Sequence, residues 1–170
     1  MLQRNVWINI HIPKCGGSTV VNILRQNFGA GFRDGRALLD TFQYTSSQVA
    51  EILNYHPYIT CYSDHKLSMD LPFDLPNVRF HIMTFVRDPV DRFLSHYFYH
   101  RNHSDYVPQT KTMDLDQYID WALVQRNQPM YINGQTRFLT ECGNAQGLAK
   151  VQRLLESENV MIFPFSRFDE

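Results

Sequence analysis

Lys14, Gly16, Gly17, Ser18 and Thr19 fall within six residues of one another, and that combination suits one kind of chemistry. Two glycines let a backbone come close to a ligand, and the N–H groups at a helix start point outward with the positive end of its dipole. Together they form an anion site, to which Lys14 adds a full positive charge while Ser18 and Thr19 offer hydroxyls that cap the helix or donate to oxygens. Cys15 lies inside the same loop. The ligand implied is a phosphate or sulfate ester. Further along stand Arg87, whose guanidinium can fork onto a phosphate, and Ser95, whose hydroxyl can hold one more oxygen. His65 is the third group of interest, since an imidazole near neutrality can take a proton from a hydroxyl. Each residue taken singly also has a plain structural reading: a glycine turn, an ion pair at Arg87, a solvated helix position at Ser95, a loop histidine at His65.

The elements that must position these groups follow from the hydrophobic pattern. Val6 to Ile12 is apolar and β-branched, Pro13 breaks it, and Val20, Ile23, Leu24 and Phe28 then recur at helical spacing, which predicts strand, tight loop, helix. Gly29 to Thr45 shows no period and reads as a surface loop. Ser46 and Ser47 are candidate caps for a helix through Asn54, with Val49, Ile52 and Leu53 inward. A second strand over Tyr58–Tyr62 delivers Ser63, Asp64, His65 and Lys66 at its C-terminal end, where open α/β sheets bind ligands. After a proline-punctuated loop from Leu71 to Pro76, Val78–Val86 forms a third strand that ends at Arg87. Asp88 suits an N-cap and Pro89 a first helical position, with Val90, Phe93, Leu94, Tyr97 and Phe98 as the apolar face and Arg92, Ser95 and His96 off it. Asp114 with Gln117 reads as a capping box for a helix whose inner face is Leu115, Tyr118, Ile119, Ala122 and Leu123. Pro129 can open a helix covering Tyr131 to Leu139, Gly147 to Leu155 forms another, and Val160–Phe163 is a late strand. Strands alternating with helices predict an α/β fold, a parallel sheet flanked by helices, over one domain spanning 1–170.

A net charge of −1 leaves no global basic field, which argues against nucleic acid as a partner. No run approaches 18 apolar residues and no leader pattern opens the chain, so no membrane span and a cytoplasmic location are expected. Cys15, Cys61 and Cys142 make neither a disulfide framework nor a zinc spacing. Beside a lysine and a helix start, Cys15 has a route to a depressed thiol pKa, although a bystander role is favoured. The Asn102-His103-Ser104 sequon matters only in a secretory lumen. His11 is expected to pack or orient the loop. His96, His100, Arg101 and His103 read as a solvated helix end in preference to a patch for an acidic acceptor. Phe32, Phe42, Tyr44, Tyr99 and Tyr106 are placed to stack on sugars, in a chain rich enough in aromatics to do so by chance.

In a Walker A loop the lysine follows the glycines; here it precedes them. His11-Ile12-Pro13-Lys14-Cys15-Gly16-Gly17-Ser18-Thr19 resembles the 5′-phosphosulfate loop of sulfotransferases that use 3′-phosphoadenosine 5′-phosphosulfate (PAPS), most of all the carbohydrate group with the heparan sulfate 2-O and 6-O enzymes and bacterial relatives. Phe85-Val86-Arg87-Asp88-Pro89-Val90-Asp91-Arg92-Phe93-Leu94-Ser95-His96-Tyr97 is similar to the family's 3′-phosphate segment. Asn133–Leu139 and Phe165–Glu170 extend the likeness, with Ser166 where a glutamate is usual, and the family's domain normally continues further. The resemblance implies a P-loop nucleotide-kinase-like sulfotransferase fold. It implies cofactor binding by Lys14, Cys15, Gly16, Gly17, Ser18 and Thr19 and by Arg87 and Ser95, with the product 3′-phosphoadenosine 5′-phosphate (PAP). Lys14 would also stabilise the leaving phosphate and His65 act as base, Asp64 standing where glycine is usual. The acceptor implied is a hydroxyl on a carbohydrate, with no metal used. Two alternatives remain: a magnesium-ATP kinase using Asp64, and a non-catalytic PAPS/PAP-binding module. Eukaryotic members are Golgi membrane enzymes, so the Golgi lumen is the alternative location.

Overall fold

A computed structural model describes residues 3–35, 43–69, 75–103, 107–125, 130–140 and 143–167. Cys142, Pro129, Phe42, Tyr106, Ser104 of the sequon, most of the 71–76 loop and the last residues of the 165–170 segment lie outside the described residues.

β1 (Arg4–Ile10) is followed by α1 (Gly17–Phe28), β2 (Phe32–Asp34), α2 (Ser46–Tyr55), β3 (Cys61–Asp64), β4 (Val78–Val86) and α3 (Pro89–His103). The chain continues through α4 (Leu115–Val124), α5 (Gly134–Thr140), α6 (Ala145–Leu154) and β5 (Val160–Pro164). The five strands form one parallel sheet in the order β2-β3-β1-β4-β5. β1 is therefore central, with β3 on one side and β4 on the other, and the loop after it opens at the point where the strand order reverses. That is where an open parallel sheet leaves a crevice beyond its C-terminal strand ends.

The core lies on both sides of β1. Val6, Ile8 and Ile10 are fully buried with Leu53, Ile59, Tyr62 and Leu67, each such aliphatic side chain contributing about 1.5–3 kcal/mol. Val20 and Leu24 of α1 pack with Cys61 and Met83 in a second cluster. Neither Ser18 nor Thr19 caps α1, whose N-cap is Gly16, and the cap of α2 lies one residue earlier than expected: Thr45, not Ser46 or Ser47, forms the capping box, with Gln48. Asp114 and Gln117 form the box that opens α4. Asp88 Oδ1 accepts the N–H groups of Val90 and Asp91, so β4 passes into α3 without an unpaired turn.

Four further expectations are corrected. The stretch expected as a surface loop contains β2, whose three residues have no pattern of their own and exist as a strand through pairing with Cys61, Tyr62 and Ser63 of β3. β3 itself starts at Cys61 and runs on to Asp64, because Tyr58 lies outside the ladder and is exposed. The largest correction is the face of α3. Arg92, His96, Tyr97 and His100 are buried, while Val90 and Phe98 are 66% and 55% exposed. Arg92 decides this: its Nε donates to the carbonyl of Pro13 and its Nη1 to that of Met130, both at 3.0 Å. A polar face that finds carbonyls to bond satisfies burial as well as an apolar one. In α4, likewise, Tyr118 and Ala122 are buried and Ile119 and Leu123 exposed.

Candidate active site

The loop from His11 to Gly16 leaves β1 and turns into α1 through two left-handed residues, Lys14 (φ 67°) and Gly16 (φ 76°). Gly16 is the N-cap and supplies no side-chain bond, although its carbonyl accepts from Thr19 and Val20. The N–H groups of Gly17 and Ser18 have no partner among the described residues, which leaves them for an anion. A Cβ on Gly17 would run into the imidazole of His11, and one on Gly16 into the ring of Phe165. Gly16 therefore needs glycine for contact and for its left-handed conformation, Gly17 for contact alone.

Arg87 follows β4 directly across from this loop. Its Nη1 lies 3.5 Å from the carbonyl of Lys14, and its guanidinium stands over the ring of Phe165 at 5.3 Å. Gln135 of α5 clasps the main chain of Arg87 from both sides, Oε1 accepting its N–H and Nε2 donating to its carbonyl, each at 2.8 Å. The same Oε1 lies 3.5 Å from Cys15 Sγ, so one amide ties the strand end to the loop. Cys15 is buried, and desolvation raises its thiol pKa against the opposing pull of Arg92 and Arg87. The route to a depressed thiol is closed by that burial. Ser95 is half-buried within α3, and its hydroxyl has no hydrogen-bond partner among the described residues. Ser18 and Thr19 are exposed at the start of α1.

His65 stands on the opposite side of the loop, at the end of β3. Its Nδ1 lies 2.6 Å from the carbonyl of His11, a contact that requires the Nδ1–H tautomer and leaves Nε2 with its lone pair. The rings of His11 and His65 lie 3.9 Å apart. His11 thus packs between Gly17 and His65 and joins the loop to the histidine. Both histidines border a cleft of about 350 Å³ whose other walls include Ser18, Asn22 and Arg25 of α1, Asp34 at the end of β2, Gly35 after it, and Lys66. The carboxylate of Asp64 is occupied: Oδ2 accepts from the hydroxyls of Tyr44 and Tyr62, and Oδ1 accepts the N–H of Lys66. That set makes Asp64 an anchor for the turn that carries His65, which removes the ligand that the kinase alternative needs. Tyr44, offered above as a sugar-stacking candidate, is a buried partner of this carboxylate.

The sulfotransferase family model matches residues 1–154. The chain belongs to the sulfotransferase family. Sulfuryl transfer is accordingly its general chemistry, and the match covers the loop, His65, Arg87, Ser95 and Gln135. No curated protein matches the chain. Among the described residues no helix is long and apolar enough to cross a membrane.

Three contributors to this sulfotransferase site, Arg92, Gln135 and Phe165, lie in segments that carry the family likeness but show no role in the sequence alone. Arg92, His96 and His100 do recur at intervals of four, which is the spacing of one helix face, and that spacing is the trace they leave in the sequence. His96 and His100 are neither a solvated helix end nor an acceptor patch, because both are buried, His96 against the rings of Tyr131 and His100, and His100 among Tyr118, Trp121 and Tyr131; Arg101 and His103 are exposed. Tyr118 Oη lies 2.8 Å from His100 Nδ1. His96 has neither ring nitrogen paired among the described residues, and burial, Arg92, His100 and Lys14 push its pKa down to about 3.

This burial has a consequence for stability. Unfolded, His96 titrates near 6.5, so between about pH 6.5 and pH 3 the unfolded chain binds a proton that the folded chain does not. Its contribution is complete above that range and is lost as the pH falls. Between pH 7.5 and 5.5 the expected loss from this group is about 1.4 kcal/mol. Urea unfolding at the two pH values checks it, with His96→Phe showing a difference smaller by that amount.

Proposed function

We propose that this sulfotransferase takes its sulfuryl group from PAPS and delivers it to a hydroxyl on a carbohydrate. One observation carries the reading: the loop, with its unpaired amides and Lys14, is flanked by Arg87 on the β4 side and by His65 with an open cleft on the β3 side. Two anion-binding groups thus lie on one side of the transfer point and a base with room for an acceptor on the other. The donor set fits a nucleotide carrying two separate anionic groups. Gly17 and Ser18 N–H, Lys14, and the half-buried hydroxyl of Ser95 are all without an anionic partner among the described residues.

When bound, PAPS supplies an activated sulfuryl group on a 5′-phosphate. The loop amides of Gly16 to Thr19, with Cys15 in the turn, would hold that end, and Arg87 and Ser95 would hold the 3′-phosphate. Lys14 stabilises charge gathering on the leaving phosphate oxygen, which is the largest electrostatic demand of such a transfer. His65, with Nδ1–H fixed on the His11 carbonyl, takes the acceptor proton at Nε2. Arg92 and Gln135 hold the loop and strand end without touching substrate.

The test is calorimetric titration of wild type and Arg87→Ala with PAP, adenosine 5′-phosphate and ATP with magnesium. Since Gln135 holds the main chain of Arg87, removing the side chain leaves the strand end in place. Wild type is expected to prefer PAP, and Arg87→Ala to lose about 100-fold, or about 2.7 kcal/mol, of PAP affinity with little change for adenosine 5′-phosphate. A preference for ATP with magnesium, or PAP binding unchanged by Arg87→Ala, overturns the reading.

A further inference from the structure

Lys14 stands among like charges. Burial and the charge of Arg87 lower its pKa. Behind the loop α3 presents Arg92, which bonds the carbonyl of Pro13, and the buried His96 and His100, whose protonation Lys14 helps to suppress. Among the described residues no carboxylate forms an ion pair with Lys14. What its ammonium does meet is a ring face: Nζ lies 4.2 Å from the ring centroid of Tyr99 on α3. Tyr99 is 44% exposed, so core burial is not what places the ring there.

We infer that Tyr99 is a positioning residue for Lys14, its ring face holding the ammonium at the mouth of the loop for the leaving phosphate oxygen. The inference rests on the role of Lys14 in the proposed transfer. A lysine side chain is a point charge on a flexible four-carbon stem, and among the described residues no counter-anion fixes where that charge rests. The negative face of an aromatic ring supplies that attraction without neutralising the charge, and so leaves it available to an incoming anion. Placing the charge before the ligand arrives reduces the ordering that binding and reaction must impose. Tyr99 touches neither reacting group; it acts through Lys14.

Two variants separate the ring face from mere bulk: Tyr99→Phe keeps the face, and Tyr99→Leu keeps an apolar side chain without it. In protein labelled with ¹³C at lysine Cε, the Lys14 resonance, assigned by its loss in Lys14→Met, is expected to carry a ring-current shift in wild type and Tyr99→Phe. In Tyr99→Leu that shift disappears and Lys14 titrates at lower pH. Turnover of PAPS to PAP is expected to fall about threefold to tenfold in Tyr99→Leu, with KM for PAPS little changed and Tyr99→Phe within twofold of wild type. A Lys14 resonance that does not move in Tyr99→Leu, or equal loss of turnover in both variants, overturns the role of Tyr99. Failure of wild type to bind PAP by calorimetry instead overturns the donor assignment, while the resonance still reports the contact.

Discussion

His65→Ala is expected to lower sulfuryl transfer from PAPS to an oligosaccharide acceptor by about 10²–10⁴-fold while leaving PAP affinity unchanged. The argument starts from Nδ1, which the His11 carbonyl holds at 2.6 Å. With that nitrogen bonded, only Nε2 is left to accept a proton, and the ring borders the cleft proposed to admit the acceptor. His65→Asn sharpens the test, since its amide can still donate to the His11 carbonyl but cannot serve as a base. It should lose as much rate as alanine, and added imidazole should restore part of the rate in His65→Ala. Release of PAP under saturating PAPS is the measurement. A rate within threefold of wild type in His65→Asn would show that the imidazole is not the base.

The second large effect belongs to Lys14. Lys14→Met keeps a flexible apolar stem and removes the charge, and kcat is expected to fall about 10²–10³-fold, in line with deletion of one group that stabilises developing charge. PAP affinity should fall far less, because the amides of Gly17 and Ser18 and the guanidinium of Arg87 remain. Stability gives an independent readout. Lys14 holds φ at 67°, a left-handed conformation that costs a residue with a Cβ but not glycine. Lys14→Gly should therefore be as inactive as Lys14→Met yet more stable, by about 1 kcal/mol or about 2–4 °C in Tm. Calorimetric melting of the two variants beside wild type checks this. A Lys14→Gly protein that melts below wild type would contradict the strain argument. Strain retained at the lysine itself is what a functional position looks like.

Arg92 and Gln135 explain why the site holds its shape. Together they bond the main chain of Pro13, Met130 and Arg87, so a loop that must present unpaired amides to a ligand is fixed through its neighbours. His11 does the same on the other side, wedged between Gly17 and the ring of His65. The two sides of the loop are thus braced by different elements, α3 and α5 on one and β3 on the other. That division lets the Arg87 and His65 variants report on separate steps.

Much of this was written locally in the chain. The apolar run to Ile12, the proline, the paired glycines and the helical spacing after them specify strand, loop and helix, because strand and helix periodicities and glycine conformations are properties of neighbouring residues. For the same reason Asp88-Pro89 and Asp114 with Gln117 mark helix starts, the order of Lys14 before Gly16 and Gly17 separates the loop from Walker A, and Val78–Val86 is found at its true bounds. What no neighbour could decide was which surfaces meet. α3 presents an apolar stripe and a polar one, and the polar one is buried, with Tyr97 of the apolar one, because Arg92 reaches carbonyls of residues 79 and 38 positions away. β2 is a strand only beside β3, and His65 acquires a defined tautomer only under a carbonyl 54 residues earlier. The ring over Lys14 and the clasp on Arg87 arise in the same way. Hydrogen bonds and ring contacts act over a few ångströms whatever the separation along the chain, so these partners were settled by the tertiary fold alone.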